Sequence, residues 1–193
     1  MFSKSIDFVW HTNCTRLNIY TERSCTIYSL FENMVIRKAI TKDISEIQKM
    51  NEGEVPHVSS IRRKDFLSFM EIASNFVVIE SDGKIAGFMI SLREGAAYGS
   101  VNYKFFNNHY RQFEYVDRIV IKEEFKGKGM GRKLYEFLFE KNETDLVCCE
   151  VNLKPQNPDS LAFHQKLGFK EKSKLITEDG KKMVSMLVRN QKS

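Results

Sequence analysis

The stretch that most constrains the fold runs from Tyr115 to Glu140. It begins with Val116–Ile121, whose β-branched residues predict a buried strand. It ends with apolar residues at helical spacing, which predict a helix that begins near Gly129. That apolar stripe consists of Met130, Leu134, Phe137 and Leu138. A strand followed by a glycine-rich turn and a helix predicts an α/β fold with this unit at its centre.

The turn between this strand and this helix is suited to binding phosphate. Its sequence is Lys126-Gly127-Lys128-Gly129-Met130-Gly131-Arg132. The glycines lack side chains, so backbone N–H groups can approach a ligand closely. At a helix N-terminus, unpaired N–H donors and the helix dipole both favour an anion. Cationic side chains surround the turn, namely Lys126, Lys128, Arg132 and Lys133.

Two common phosphate-binding motifs do not fit this turn. A P-loop requires Gly, four residues, Gly-Lys and then Ser or Thr. Here Arg132 stands five residues after Gly127, at the place where the second Gly is required. A dinucleotide fingerprint requires G-x-G-x-x-G, whereas the spacing here is G-x-G-x-G. For the glycines taken alone, an ordinary strand-to-helix turn without a ligand remains an alternative.

Length and composition are those of a globular domain. The 193 residues suit one domain with a full core, and 42% hydrophobic and 28% charged residues are ordinary values. No run approaches the roughly 20 apolar residues that span a bilayer, so no membrane partner and a cytoplasmic location are expected. The net charge of +5 is mild and partly local to Lys122–Lys133, which favours a polyphosphate ligand over nucleic acid.

The cysteines and histidines do not have metal-ligand spacing. Cys14, Cys25, Cys148 and Cys149 form no CxxC pair, and the histidines are scattered, so no metal is expected. Cys148 and Cys149 adjoin within an apolar run, which is typical of buried strand thiols in a reducing compartment. A reactive dithiol is the alternative.

The chain is predicted to divide near residue 33. Residues 1–33 are expected to be an N-terminal extension with little role in the fold, and residues 34–193 the folded domain. Met34 directly precedes a short predicted strand over 35–39, which suits the first strand of a domain. The alternative for residues 1–33 is an integral extra strand or hairpin.

Further strands are predicted over 76–80, 84–92, 145–153, 172–177 and 183–189. Thr41 or Asp43 is predicted to cap one helix, and Ser59 or Ser60 a second one. Between these helices, residues 51–57 form a break whose polar groups can face a pocket. The aromatic segment 93–113 is predicted to be a long loop or short helix, serving as a substrate wall or as local packing.

A second informative segment is Asn157–Phe169. Asn157 suits an N-cap, Pro158 suits the first turn, and Gly168 suits the end of a helix. Together with the glycine turn, this segment resembles the GNAT acetyltransferases, whose acetyl-CoA signature is Arg or Gln, two residues, Gly, one residue, then Gly or Ala. The matching residues are Lys126, Gly129 and Gly131 in the turn, and Asn157, Ser160, Phe163-His164 and Gly168-Phe169 in the helix.

The resemblance covers about Val35 to Arg189, and one position departs from the pattern. Lys126 stands where the family usually has Arg or Gln. Lys is also a cation, but it cannot bind phosphate bidentately as Arg does. The stretches EGEVPHVS, YVDRIVI and KPQNPDSLAFH are similar to a branch of predicted GNAT enzymes without an assigned substrate.

The resemblance implies a GNAT fold, in which a mixed central sheet with flanking helices splays between strands 4 and 5. Acetyl-CoA would lie in that gap and its amides would complete the interrupted ladder. Ile119, Val120 and Ile121 would present backbone to the acetyl and pantetheine arm. The turn from Lys126 to Arg132 would bind the pyrophosphate. Asn157 and Ser160 would bind the polar arm, although a simple helix-capping role explains Asn157 equally well.

The resemblance also suggests catalytic residues. His164 stands where the family often has a Tyr that protonates the leaving thiolate, and imidazole, with a pKa of ~6.5, can do the same. The resemblance makes Asp117 the first candidate for the base, because bases of the family often come from this strand, and Asp117 shares a strand face with Ile119. Glu54 is second and Glu150 third. Each of these residues also has a purely structural alternative, as a bonded His or a paired carboxylate.

The predicted function is therefore direct transfer of acetyl from acetyl-CoA to an amine of a small molecule or peptide. No cysteine occupies a nucleophile position, so no acetyl-enzyme is expected. The alternative is a non-catalytic acyl-CoA-binding regulatory module. Nucleic-acid binding rests only on the mild basicity and is not expected. A homodimer is left open as the oligomeric state.

Overall fold

Seven strands form one mixed sheet in the computed structural model, which describes residues 34–177 and 180–191. The strands are β1 Met34–Lys38, β2 Asn75–Ser81, β3 Lys84–Arg93, β4 Glu114–Ile121, β5 Leu146–Lys154, β6 Lys170–Thr177 and β7 Lys182–Asn190. Their order across the sheet is β1-β2-β3-β4-β5-β7-β6. Every neighbouring pair is antiparallel except β4 and β5, which run parallel. The predicted mixed sheet is confirmed.

Five α-helices of the described residues cover the two faces of the sheet. They are α1 Ile44–Gly53, α2 Arg63–Ile72, α3 Val101–His109, α4 Met130–Lys141 and α5 Pro158–Lys166. On one face, α1, α2 and α3 bury a cluster that includes Ile47, Phe66 and Phe106. On the other face, α4 buries Leu134 and Leu138, and Phe163 of α5 packs against the same cluster. The 3.6-residue period of each apolar stripe therefore directs each helix onto the sheet.

The connection from β4 to β5 contains the strand, turn and helix expected from the sequence. β4 is followed by a short 3₁₀ turn over Glu123–Phe125 and then by the glycine turn. Helix α4 begins at Met130, one residue after Gly129, and then returns the chain to β5. A parallel strand pair requires such a crossover, because a tight hairpin can join only antiparallel strands.

One predicted cap is wrong and one is confirmed in position. The N-cap of α2 is Arg62 and not Ser59 or Ser60, and the Asp65 carboxylate accepts the Arg62 backbone N–H over 3.0 Å. Asp43 is the N-cap residue of α1, as predicted, but its side chain makes no capping bond to that helix. Its carboxylate instead accepts the N–H of Ile40 over 2.9 Å, at the start of the 3₁₀ turn Thr41–Asp43.

The sheet opens between β4 and β5. These strands pair only at Glu114 with Val147, Tyr115 with Cys148, and Val116 with Cys149. Beyond these three pairs, β4 continues to Ile121 and β5 to Lys154 without pairing to each other. The predicted splay is confirmed, and Asp117 and Glu150 are the first residues past the last pair.

The predicted extension over residues 1–33 lies outside the described residues, as does part of the predicted turn at Glu178-Asp179. The described residues belong to the compact unit Asn33–Ser193. Within residues 34–177 and 180–191, every helix is too short or too polar to cross a membrane.

Candidate active site

A cleft of about 1400 Å³ lies where the opened strands meet the glycine turn. Its lining includes nearly all the residues that the sequence assigned to the acetyl donor: Ile119, Val120, Ile121, Lys126, Gly127, Gly129, Met130, Gly131, Arg132, Asn157 and Ser160. Lys128 is the exception, and its ammonium lies 5.3 Å from the ring centroid of Phe125. The structure therefore brings two distant segments of the sequence to one cavity.

The glycine turn presents backbone N–H groups to this cleft. Gly127 and Gly129 adopt φ of +74° and +80°, which L side chains rarely adopt. A Cβ at either position would meet no atom within 4 Å, so the outer side of the turn is open. The first helical bond runs from Lys133 N–H to the carbonyl of Gly129 over 3.0 Å. The N–H groups of residues 130–132 precede that bond and have no acceptor within the helix.

Gly131 has a second role that the sequence did not indicate. A Cβ there would lie 3.1 Å from Cζ of Phe163, which is closer than side chains normally pack. The absence of a side chain therefore lets the first turn of α4 approach α5 closely. Together with the open turn, this close approach forms a glycine-lined concavity with cationic groups beside it, which fits a diphosphate.

Lys126 is held by two carboxylates. Its ammonium lies 2.7 Å from Glu54 Oε1 and 2.8 Å from Glu123 Oε2. The bonds to Glu123 and Glu54 raise the pKa of Lys126. Glu54, one of the candidate bases, thus lies in the cleft but is bonded to the cation of the glycine turn.

Asn157 and Ser160 form the N-terminal cap of α5. The Asn157 side-chain oxygen accepts the N–H of Ser160 over 3.2 Å. Both residues also line the cleft, so capping and ligand binding are compatible. The capping role of Asn157 explains why the helix begins at Pro158.

His164 is bonded at both ring nitrogens. Nδ1 lies 2.7 Å from the carbonyl oxygen of Ser160, and Nε2 lies 2.8 Å from the hydroxyl of Tyr135. Because a carbonyl oxygen only accepts, Nδ1 carries the proton and Nε2 accepts from Tyr135. Burial lowers the pKa of His164, so the imidazole is neutral. Neither ring nitrogen has an N–H left for a thiolate, and the acid role stays a prediction.

Asp117 is bonded to a buried cation. Its Oδ1 accepts the Tyr98 hydroxyl over 2.6 Å, and its Oδ2 accepts Nε of Arg118 over 2.7 Å. Arg118 also donates from Nη1 to Asn51 Oδ1 over 2.7 Å. The Asp117–Arg118 ion pair therefore connects β4 to the end of α1.

Glu150 is bonded only to neutral groups. Its Oε1 accepts Nδ2 of Asn102 over 2.8 Å, and its Oε2 accepts the Tyr115 hydroxyl over 2.7 Å. Burial at the base of the cleft, followed by repulsion from Asp117, raises the pKa of Glu150 to about 7. A carboxylate with that pKa can accept a proton near neutral pH. Glu150 was the third candidate from the sequence, which does not show these partners because they lie far away in the chain.

The segment between α1 and α2 bridges the opening of the sheet. On the β4 side, Arg118 donates to the carbonyl of Ser59 over 3.2 Å. On the β5 side, Asn152 donates to the carbonyls of Pro56 and His57 over 3.2 and 3.0 Å. The predicted break at residues 51–57 thus forms a wall of the cleft, with His57 and Glu54 in its lining.

A family model described as "Acetyltransferase (GNAT) domain" matches residues 41–189. The chain belongs to the GNAT acetyltransferases. Among curated proteins, no sequence matches this chain. A search of solved structures found many similar folds.

Three of these structures illustrate the shared GNAT fold. Ribosomal-protein-S18-alanine N-acetyltransferase from Escherichia coli has 18% identity and a TM-score of 0.60, over 81% of this chain and 93% of that one. yncA from Salmonella typhimurium, solved with its cofactor acetyl-CoA, has 18% identity and a TM-score of 0.62, over 83% and 95%. Chaetomium thermophilum Naa20, solved with a bisubstrate analogue, has 18% identity and a TM-score of 0.66, over 82% and 87%.

As a GNAT acetyltransferase, this protein is an enzyme of acetyl transfer to an amine. The family uses acetyl-CoA as the acetyl donor. Within residues 34–177 and 180–191, no group of three or more His, Cys, Asp or Glu side chains is arranged to hold a metal ion.

Proposed function

We propose that this GNAT enzyme transfers acetyl from acetyl-CoA directly to a primary amine of a small molecule or peptide. The proposal is carried by one observation: the opening between β4 and β5 runs into the glycine turn within a single cleft. An extended thioester arm and a diphosphate need these two features next to each other.

Acetyl-CoA would lie with its pantetheine arm along β4. Past Val116, the edge of β4 that faces β5 makes no ladder to that strand, so its N–H and C=O groups can pair with the pantetheine amides. Ile119, Val120 and Ile121 provide this backbone. An N–H donor aimed at the thioester carbonyl is worth about 3 kcal/mol in the transition state.

The diphosphate would bind the amides of residues 127–132. Arg132 lines the cleft and is exposed, so its guanidinium can bind phosphate bidentately. Lys126 can offer its ammonium only as a point charge that it shares with Glu54 and Glu123. The backbone of the turn therefore provides most of the phosphate recognition.

Glu150 is the base that this geometry favours. The attacking amine must lose a proton, and Glu150 can accept it while keeping its neutral partners Asn102 and Tyr115. Protonation of Asp117 or Glu54 would break an ion pair, with Arg118 or Lys126 respectively. Asp117, ranked first by the sequence, then acts by keeping the pKa of Glu150 high.

The leaving thiolate needs a proton, and the one N–H of the neutral His164 ring is already bonded to the Ser160 carbonyl. Solvent at the open side of the cleft can supply it. The sequence-based acid role of His164 requires its bond to Ser160 or Tyr135 to break during the reaction.

The test pairs binding with turnover. Acetyl-CoA affinity is measured by calorimetry for the wild type, for Gly129→Asp and for the control Gly83→Asp, which has a similar positive φ and equally open surroundings. We expect Gly129→Asp alone to lose at least a hundredfold in affinity, because it places a carboxylate where the diphosphate binds. Equal affinity in all three proteins would contradict the assignment.

Turnover is then followed as free CoA thiol released in the presence of a panel of primary amines. Amine-dependent release supports the proposal. Tight acetyl-CoA binding with no release across the panel would instead favour the non-catalytic acyl-CoA-binding module.

We also propose a reducing, cytoplasmic setting for this reaction. Cys148 and Cys149 are adjacent, buried and free. Burial raises the pKa of both thiols, which keeps them protonated and inert, so they act as core residues and not as a reactive dithiol.

A further inference from the structure

We propose that the acceptor is a monoamine with an apolar body, whose amine lies at Glu150 and whose body packs on the apolar rim of the cleft. The apolar rim consists of Val101 and Phe105 on α3 and Leu175 and Ile176 on β6. This inference rests on the proposed function and names the substrate class of the same site.

At the bottom of the cleft, the hydrogen-bond acceptors on the acceptor side, which we call the floor, suit a single amine. Glu150 lies where the sheet opens and has only neutral hydrogen-bond partners. The neighbouring Asp117 is already paired with Arg118 over 2.7 Å. Beside Glu150, Oδ1 of Asn102 is buried and has no hydrogen-bond partner among the described residues. One carboxylate and one amide oxygen match the N–H donors of one primary amine.

The rim above this floor is apolar and exposed. Val101 is 55% exposed and Ile176 is 65% exposed, while Phe105 and Leu175 are half-buried. Single exposed apolar residues are common on protein surfaces, but these four line one cleft. A substrate body that covers them would remove apolar surface from water on both partners.

Two lysines disfavour a substrate with further positive charges. Lys104 on α3 and Lys182 on β7 line the same cleft as the rim. A polyamine bound at Glu150 would bring its second cation toward these ammonium groups, where like charges repel. We therefore expect the site to disfavour polyamines as well as fully polar amines.

Amine probes with different bodies test this inference on the full chain saturated with acetyl-CoA. The probes are 2-phenylethylamine, ethanolamine, spermidine and a peptide with an N-terminal leucine, and kcat/KM is measured by release of CoA thiol. We expect 2-phenylethylamine to exceed ethanolamine and spermidine by at least tenfold, from burial of its ring. A peptide that outperforms 2-phenylethylamine would identify the apolar monoamine as a chain N-terminus.

Two matched variants test whether the preference for an apolar amine depends on the apolar rim. We expect Val101→Lys to raise KM for the apolar amine about tenfold while acetyl-CoA affinity stays unchanged. The control is Val35→Lys on β1, because Val35 is 54% exposed and lies outside the cleft lining. The control should match the wild type.

The outcomes separate the two proposals. Failure to bind acetyl-CoA overturns the proposed function and this inference with it. With acetyl-CoA bound, a preference for ethanolamine or spermidine, or turnover of other amines without turnover of any apolar monoamine, overturns this inference alone. No turnover of any amine overturns the proposed function as well. Equal KM values for Val101→Lys and Val35→Lys would also overturn it.

Discussion

The two halves of the cleft are built in opposite ways. The donor half is mostly one continuous segment, from β4 through the glycine turn to α4, and it offers mainly backbone groups. The proposed acceptor half offers side chains from α3, β4, β5, β6 and β7 and from the segment after α1. Glu150 illustrates this, because its partners Asn102 and Tyr115 stand 48 and 35 residues away in the chain.

This difference predicts two kinds of sensitivity to mutation. In the proposed binding mode, backbone N–H groups bind the donor whatever side chains surround them, so only added bulk or negative charge should disturb that half. The proposed acceptor half depends on particular functional groups, so isosteric changes that remove one proton or one charge should disturb it.

Glu150→Gln should have the largest effect on turnover. The amide is isosteric but cannot accept the proton of the amine, so we expect kcat to fall about 10²- to 10⁴-fold with acetyl-CoA affinity unchanged. Stopped assays of CoA release and calorimetry measure the two quantities. Glu140→Gln on the exposed side of α4 is the control. A normal kcat in Glu150→Gln would remove Glu150 from catalysis.

The pH dependence of kcat/KM should report the ionisation of Glu150. The base must be ionised, and burial together with Asp117 raises the pKa of Glu150 to about 7, while nearby Lys182, Tyr115 and Asn102 lower it. We therefore expect kcat/KM to fall about tenfold per pH unit below pH 7. The residual kcat/KM of Glu150→Gln should not fall in this way below pH 7. If it still falls, another residue is the base.

Gly131→Ala should reduce donor affinity through packing. The new Cβ would lie 3.1 Å from the Phe163 ring and push α4 and α5 apart, so we expect acetyl-CoA to bind about tenfold more weakly. Adding Phe163→Leu should restore part of the loss. Gly53→Ala, where a Cβ meets nothing within 4 Å, is the control. If Phe163→Leu restores none of the acetyl-CoA affinity, the contact between residues 131 and 163 does not cause the loss.

His164→Phe should act mainly on stability. It leaves the buried Tyr135 hydroxyl without its acceptor, so we expect the free energy of unfolding to fall by about 1–3 kcal/mol. Turnover should change by less than about tenfold. Tyr135→Phe should cost a similar amount, and the two changes should be non-additive. A hundredfold loss of turnover with normal stability would instead support the predicted general acid.

Glu150→Gln should also gain stability at alkaline pH. A carboxyl group whose pKa is raised in the folded state stabilises the fold below its unfolded pKa, and this contribution is lost as pH rises through about 7. Gln does not ionise, so Glu150→Gln should not lose stability as pH rises through about 7. Its Tm relative to the wild type should therefore be higher at pH 8 than at pH 5, and the opposite trend would contradict the raised pKa.

The same contrast explains what the sequence could predict. The strands, the glycine turn and the start of α4 follow from local patterns of β-branched residues, glycines and helical spacing, and the structure has them within a few residues. Gly131 was predicted as a phosphate contact, but its approach to Phe163 depends on tertiary packing. The candidate bases were ordered by the family precedent for a base on β4. The ion pairs that change this order follow from side-chain geometry, which the sequence does not show. Asp117 pairs with its sequence neighbour Arg118, and Glu54 pairs with Lys126, which lies far away in the chain.

Helix α3 shows the same limit. Its aromatic segment could be a loop or a helix from the sequence. In the structure, the Ser100 side chain accepts the Tyr103 N–H over 3.5 Å at its start, and Tyr103 and Phe106 are buried. The local packing is therefore present. The substrate wall stays a prediction, which the position of Val101 and Phe105 of the same helix in the cleft lining supports.

The most direct measurement is a crystal structure of the full chain with acetyl-CoA. We predict that diphosphate oxygens lie about 2.7–3.2 Å from backbone nitrogens between Gly127 and Arg132. The pantetheine amides should pair with the backbone of Ile119–Ile121, and the thioester should lie beside Glu150. A molecule bound outside the opening between β4 and β5, or a diphosphate away from the glycine turn, would contradict this account.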